Sequence, residues 1–158
     1  MNNLRLNIVL FALLLLFAPL SSFAQKVIEP ESITPKFLKE TFENAFIEVL
    51  EVEDEYIKIK DYHNFYIDID PKKRFVTISV SYALAPDAKP DNVLKFLNVV
   101  NKDVAMIKAY TNEDYTTVSY YYYFWTNGGF TQKSLVSSIG IIKAALDLCI
   151  EKDTFGVL

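Results

Sequence analysis

The segment 65-FYIDIDPKKRFVTISVSYAL-84 alternates apolar and polar residues on both sides of a short basic turn. This alternation is typical of strands that bury one face, because successive side chains of a strand point to opposite sides. Asp70-Pro71 suits a type I turn, which favours aspartate at its first position and proline at its second. The segment therefore predicts two antiparallel strands, and Lys72 to Arg74 is interpreted as a solvated turn, not a phosphate site.

Three more strands are predicted around this hairpin. Residues 57–60 alternate isoleucine with lysine, whereas the acidic stretch Glu51 to Glu55 before them is interpreted as a solvated connection. Residues 104–111 and 115–126 are rich in β-branched and aromatic residues, and the loop Asn112 to Asp114 separates them. Together with the hairpin, these segments predict an antiparallel sheet of five strands.

Three helices are predicted from start signals and from apolar residues at intervals of three and four. Thr34-Pro35 and Pro90 open the first two, and the second should end near residues 101–102. Gly128-Gly129 ends the last strand, and an apolar stripe from Leu135 to Cys149 follows in a long closing helix. The fold class is therefore α+β, in the order α-β-β-β-α-β-β-α, with the helices on one face of the five-stranded sheet.

Residues 1–24 have the composition of a cleavable export signal. Arg5 is their only charge, apolar residues and one proline run from Ile8 to Leu20, and Ser22 to Ala24 offer the small residues that a signal peptidase reads. A retained anchor would need about 20 consecutive apolar residues. We therefore expect a mature chain that starts at Gln25, has no membrane span, and is periplasmic or secreted.

Composition limits what the mature chain can do. Removal of Arg5 would change the formal charge from −4 to −5, and without a basic face nucleic-acid binding is disfavoured. Cys149 is the only cysteine, so no internal disulfide forms, and its apolar surroundings predict an unreactive buried thiol. Residues 25–33 are expected to be a mobile lead-in, and residues 34–158 a single domain.

No catalytic, metal or cofactor motif stands out in the sequence. It has neither a Gly-x-Ser-x-Gly elbow nor a glycine-rich phosphate loop. His63 is the only histidine, and its spacing from Asp61, Asp68 and Asp70 matches no zinc or calcium site, so a solvated turn histidine is expected. We therefore predict a protein that is not an enzyme and that needs no cofactor or metal.

The order of elements, the segment Phe96 to Asn101 and the strand-glycine-helix passage from Tyr115 to Leu148 resemble the YbjN family. Its members are described as bacterial sensory-transduction regulators with a fold similar to type III secretion chaperones. The resemblance spans roughly Thr34 to Lys152. It implies a module that acts by binding, often as a homodimer, with no catalytic residues to carry over.

Two details match that family most closely, the pair Asn98 and Asn101 and the pair Gly128-Gly129. Both have structural explanations, since asparagine and glycine tolerate the backbone conformations that end helices and strands. The export signal departs from the family, whose regulators and chaperones would work in the cytoplasm. An exported member could not contact the transcription machinery directly.

The run from Tyr120 to Trp125, YYYYFW, is the candidate binding element. On a strand, three of its rings point to each side, so one set serves the core and the other lies on the open face. Exposed aromatic patches mark partner surfaces, because tyrosine and tryptophan each combine a large apolar ring with a polar group. One set is Tyr120, Tyr122 and Phe124, and the other is Tyr121, Tyr123 and Trp125. Either set could be the exposed one, and we predict that Tyr121, Tyr123 and Trp125 bind a partner.

The expected partner is a polypeptide segment or a second copy of the chain. Three other interpretations remain open: rings that serve packing alone, a platform for a sugar or small ligand, and a purely structural homodimer. A fourth is an envelope enzyme acting on cell-wall or glycan material through the carboxylates between Glu51 and Asp70. That enzyme would need at least two of these carboxylates within about 5 to 10 Å of each other beside a pocket.

Overall fold

A computed structural model describes residues 26–158, so the export signal predicted over residues 1–24 lies outside the described part of the chain. None of the helices within residues 26–158 is long and apolar enough to cross a membrane. The elements in chain order are a 3-10 helix Pro30–Ser32, α1 Pro35–Asn44, β1 Glu48–Val52, β2 Tyr56–Asp61, β3 His63–Ile69, β4 Phe75–Ala83, α2 Pro90–Asp103, β5 Lys108–Thr111, β6 Thr117–Trp125 and α3 Gln132–Glu151.

The strands form one antiparallel sheet in the order β1-β2-β3-β4-β6-β5. The α+β class and the antiparallel sheet are confirmed, but the prediction of five strands is wrong because the sheet has six. The missed strand is β1, which overlaps the acidic stretch that was interpreted as a connection. It is an edge strand with a bulge between Val49 and Glu51, so it buries little and shows no clean alternation of apolar residues.

A single core lies between the sheet and the helices. Alternate residues of the inner strands point into it, and all three helices contribute buried residues to the same cluster. The helices therefore cover one face and leave the other uncovered by any element of residues 26–158. The largest fully buried side chains of this core are Ile33, Leu38, Phe42, Ile57, Ile59, Phe65, Ile67, Ile78, Phe96, Tyr120, Leu135 and Ile139.

The described part of the lead-in contacts the domain, and its expected mobility stays a prediction. Ile28 forms an antiparallel bridge with Phe130, and the Ile33 side chain is only 1% exposed. The Lys73 ammonium also donates a hydrogen bond to the Glu31 carbonyl at 2.6 Å. The two isoleucines explain these contacts, because burying apolar side chains of this size offsets the entropy of ordering a short segment.

Asn101 closes the outer edge of β5. The backbone groups of Lys108 and Tyr110 pair with β6, so those of Ala109 point away from the sheet. The Asn101 side chain donates to the Ala109 carbonyl at 3.0 Å and accepts from the Ala109 N–H at 2.8 Å. One amide thus takes the place of a neighbouring strand, whereas Asn98 is exposed and has no such contact within the described residues.

Replacement of Asn101 with alanine should lower the free energy of unfolding by about 1 to 3 kcal/mol, because it leaves both polar backbone groups of Ala109 without their partner. Asn98→Ala is the matched control on the same helix and should change it by less than about 0.5 kcal/mol. Urea unfolding of the two variants measures the difference. Equal losses would show that the Asn101 contact contributes nothing specific.

Candidate functional site

Strand β6 sends its six aromatic side chains to opposite faces of the sheet. Tyr120, Tyr122 and Phe124 are buried in the core beneath the helices. The predicted partner-binding residues lie together on the opposite, uncovered face, and Trp125 is the most exposed of them at 66%. They are Tyr121, Tyr123 and Trp125.

Two further residues, Phe75 and Tyr110, turn this face into an ordered aromatic surface. The Phe75 ring, on the neighbouring strand β4, meets the rings of Tyr123 and Trp125 edge-on, each with 5.5 Å between centroids. Tyr110 of β5 meets Tyr121 at 5.6 Å. Edge-to-face contacts of this kind favour a defined arrangement over free rotation of the rings. We call Phe75, Tyr110, Tyr121, Tyr123 and Trp125 the aromatic face.

A shallow depression of about 490 Å³ continues this surface across β3 and β4. Its lining combines aromatic rings with hydroxyl groups and the Asp68 carboxylate. Asp68 lies in one cross-strand row with Thr77 and Tyr123. The neighbouring side chains partly desolvate this carboxylate, although the residue remains exposed, and the desolvation raises its pKa above the ordinary value. The depression could therefore accept a basic or amide group beside the rings.

The edge of β6 is free beyond the end of β5. Backbone groups of successive residues in an antiparallel strand point to alternate sides. The Thr126 N–H donates to the Arg74 carbonyl, on the β4 side, at 2.9 Å. The backbone groups of Tyr123 and Trp125 consequently point away from β4. On that side, β5 reaches only as far as Tyr121, and no strand of residues 26–158 pairs with the outward backbone groups of Tyr123 and Trp125.

The outermost strands offer less to an incoming strand. β1 carries a bulge and the exposed charge of Glu48 on its short edge, features that oppose pairing with another chain. β5 is only four residues long and has its Ala109 backbone groups occupied by Asn101. The free part of β6 therefore combines unpaired backbone groups with the aromatic rings of Tyr123 and Trp125 more directly than either outer strand does.

His63 lies on the helix side of the sheet and is not a solvated turn residue, so that expectation is wrong. It opens β3, is half-buried, and its Nδ1 atom lies 2.7 Å from the Tyr82 hydroxyl in a hydrogen bond. Burial lowers its pKa below the ordinary value of 6.5, although the nearby Asp147 and Asp61 act in the opposite direction. Within residues 26–158, no three His, Cys, Asp or Glu side chains form a group that could hold a metal ion.

Carboxylates of the Glu51 to Asp70 region do meet at one place. Asp54, Glu55 and Asp70 line a depression of about 270 Å³. Arg74 holds Asp70 with two side-chain hydrogen bonds of 2.8 and 3.0 Å, and these lower the pKa of Asp70 to about 2. A glycoside-cleaving acid needs the opposite shift, toward a raised pKa. The contacts of Asp70 thus favour a structural role in the turn.

Comparison with known proteins shows which known structure this fold is similar to. No protein-family model and no curated protein matches the chain. Its structure is similar to the crystal structure of YbjN from E. coli, a proposed transcription regulator, with a TM-score of 0.64. The match covers 78% of this chain and 93% of that chain, at 13% sequence identity. The chain has a YbjN-like fold.

The YbjN-like fold confirms the architecture that the sequence resemblance implied, and at this identity it carries the fold alone. Sequence reasoning missed Phe75 and Tyr110 as members of the aromatic face. Both occupy the same side of their strands as the predicted residues, since Phe75 stands opposite Trp125 and Tyr110 stands beside Tyr121 in the ring pair. Finding these two residues would have required the pairing register of the strands, and contacts between strands distant in sequence set that register.

Two neighbouring residues test the division of β6 between core and open face. Phe124→Ala should lower the free energy of unfolding by about 3 kcal/mol, because it removes a core ring that packs edge-on against Phe130. Trp125→Ala removes a larger but exposed ring and should cost less than about 1 kcal/mol. Urea unfolding of both variants measures the difference, and a greater loss for Trp125→Ala would reverse the assignment of faces.

Proposed function

We propose that this protein is a non-enzymatic binding module that captures an extended polypeptide segment beside the free part of β6. Two features at the same place carry the proposal: the outward backbone groups of Tyr123 and Trp125 have no strand partner, and the exposed ring of Trp125 and the half-buried ring of Tyr123 lie beside them. A bound segment would extend the sheet by one strand and place alternate side chains on the aromatic face. Main-chain hydrogen bonds would give affinity, and the rings would select apolar side chains.

The backbone groups favour a polypeptide over a sugar. A strand presents its own N–H and C=O groups at the spacing that an open sheet edge requires, whereas a sugar does not. The rings of Tyr123 and Trp125 then supply buried apolar area, worth about 25 cal/mol for each Å² removed from water. Asp68, in the adjoining depression, supports a partner that carries a basic residue near its apolar ones.

The place of capture and the identity of the partner complete the proposal. Residues 1–24 support export, so capture would occur in the periplasm or outside the cell and not at the transcription machinery. The partner could also be a second copy of the chain, since two identical free edges could pair about a twofold axis. We propose that the captured segment belongs to another protein. Capture of a second copy of the chain would instead identify a homodimer.

Covalent capture in cells tests the proposal. A photo-crosslinking amino acid in place of Tyr123 should capture a polypeptide at one defined segment, identified by mass spectrometry. The matched control is the same amino acid in place of Ile141, an exposed apolar residue on α3, which should capture nothing at that segment. Equal capture from both positions would contradict a binding site on the aromatic face.

The role of the backbone is tested by a proline at the free edge. In the Tyr123 crosslinking protein, Trp125→Pro removes an outward N–H at a position where an edge strand tolerates proline. Trp125→Ala removes the same ring but keeps the N–H. Capture should therefore be weaker with Trp125→Pro than with Trp125→Ala, while thermal unfolding of both stays cooperative. Equal capture would exclude strand addition, and captured peptides from this chain alone would identify a homodimer.

A further inference from the structure

A second candidate site lies on the helix side of the sheet, opposite the aromatic face. A cavity of about 230 Å³ sits among β3, β4, β6 and the end of α3. Its apolar walls include Leu146, Ile150 and Leu158. An apolar protein cavity of roughly 150 Å³ can hold benzene, so this one has room for a ring with a short substituent.

The Tyr120 hydroxyl determines which kind of ligand suits this cavity. Tyr120 lines the cavity and is only 1% exposed, and its hydroxyl has no hydrogen-bond partner among residues 26–158. Buried polar groups are normally paired, so an unpaired one calls for an explanation. Burial strongly raises the pKa of Tyr120, which keeps the hydroxyl protonated and able to donate.

Two other polar side chains of the cavity are hydrogen-bonded to each other. The Tyr82 hydroxyl and His63 Nδ1 share a hydrogen bond of 2.7 Å, and a lowered pKa keeps the His63 ring neutral at pH 7. The nearby Lys143 ammonium is paired with Asp61 at 2.9 Å. Tyr120 thus supplies the fully buried donor of the cavity that lacks a partner, and none of the described residues that line the cavity is a cation that could hold an anion.

The cavity is accessible from the surface. Ile150 and Leu158 are 58% and 41% exposed, and both also line the cavity, so its mouth lies beside them. The Asp153 carboxylate accepts hydrogen bonds from the Val157 and Leu158 N–H groups at 2.9 and 2.8 Å. These bonds hold the chain around Leu158 in place at the mouth.

We propose that this cavity binds a small uncharged molecule with an apolar body and a single hydrogen-bond acceptor. The Tyr120 hydroxyl donates a hydrogen bond to that acceptor. A charged ligand would lose its hydration without gaining an opposite charge. A purely apolar ligand would leave Tyr120 unpaired. The site is independent of polypeptide capture, because it lies on the other side of the sheet.

Binding of two probes of nearly the same shape tests this site. Acetophenone carries a carbonyl acceptor, and α-methylstyrene replaces it with a methylene group. Methyl NMR signals of Leu146 and Ile150 should shift with acetophenone in the full chain. Tyr120→Phe should weaken acetophenone binding by roughly threefold to tenfold, the effect of one net hydrogen bond, and should leave α-methylstyrene binding unchanged within about twofold.

A second variant keeps the test decisive if Tyr120→Phe fails to fold. Ile150→Trp, at an exposed position of the mouth, should block acetophenone while the thermal unfolding of the protein stays cooperative. Absence of any shift with either probe would overturn the proposal, and this is also the result expected if an ordered water occupies the site. Equal weakening of both probes by Tyr120→Phe would overturn it too, because the hydroxyl would then play no part.

Discussion

The pairing of β4 with β6 is the constraint on which the rest of the structure depends. It runs without a break from Phe75 opposite Trp125 to Ala83 opposite Thr117. A slip of one residue would exchange the two faces of a strand, because side chains alternate along it. This register therefore decides that Tyr120 and Tyr122 belong to the core.

The same register gives adjacent residues of β6 different environments. Tyr120 reaches the cavity under the helices, while Tyr121 contributes to the aromatic face. β5 is shorter than β6 and pairs only with its first part, as far as Tyr121. Asn101 occupies the outer edge of β5, so the unpaired backbone groups beside aromatic rings lie further along β6, at Tyr123 and Trp125. Packing and the proposed binding thus follow from one strand.

Local patterns in the sequence predicted much of this fold. The alternation within residues 65–84 predicted β3 and β4, the proline and capping signals predicted α1 and α2, and the apolar stripe predicted α3. The Thr34 hydroxyl indeed accepts a hydrogen bond from the Phe37 N–H at 3.1 Å. β1 was missed because an edge strand that carries glutamates buries too little to leave a pattern. The anchoring of Ile33 depends on a core that residues distant in sequence build.

The candidate sites were less accessible to sequence reasoning. Every residue from Tyr120 to Trp125 is aromatic, so hydrophobicity could not show which set faces the core, and only pairing with distant β4 decides it. The cavity joins His63, Tyr82, Tyr120 and Leu146, which four different elements bring together. No local spacing records such a site, and the unpaired Tyr120 hydroxyl becomes visible only in the folded structure.

Amide hydrogen exchange of β6, followed residue by residue by NMR, tests the free edge most directly. The Tyr122 and Phe124 amides point toward β4 and should exchange slowly. The Tyr123 and Trp125 amides should exchange at least about a hundredfold faster in the free protein, because opening free energies range from near zero at exposed sites to the global stability in the core. Equally slow exchange at all four amides would show that the edge is already covered and would contradict the proposed binding site.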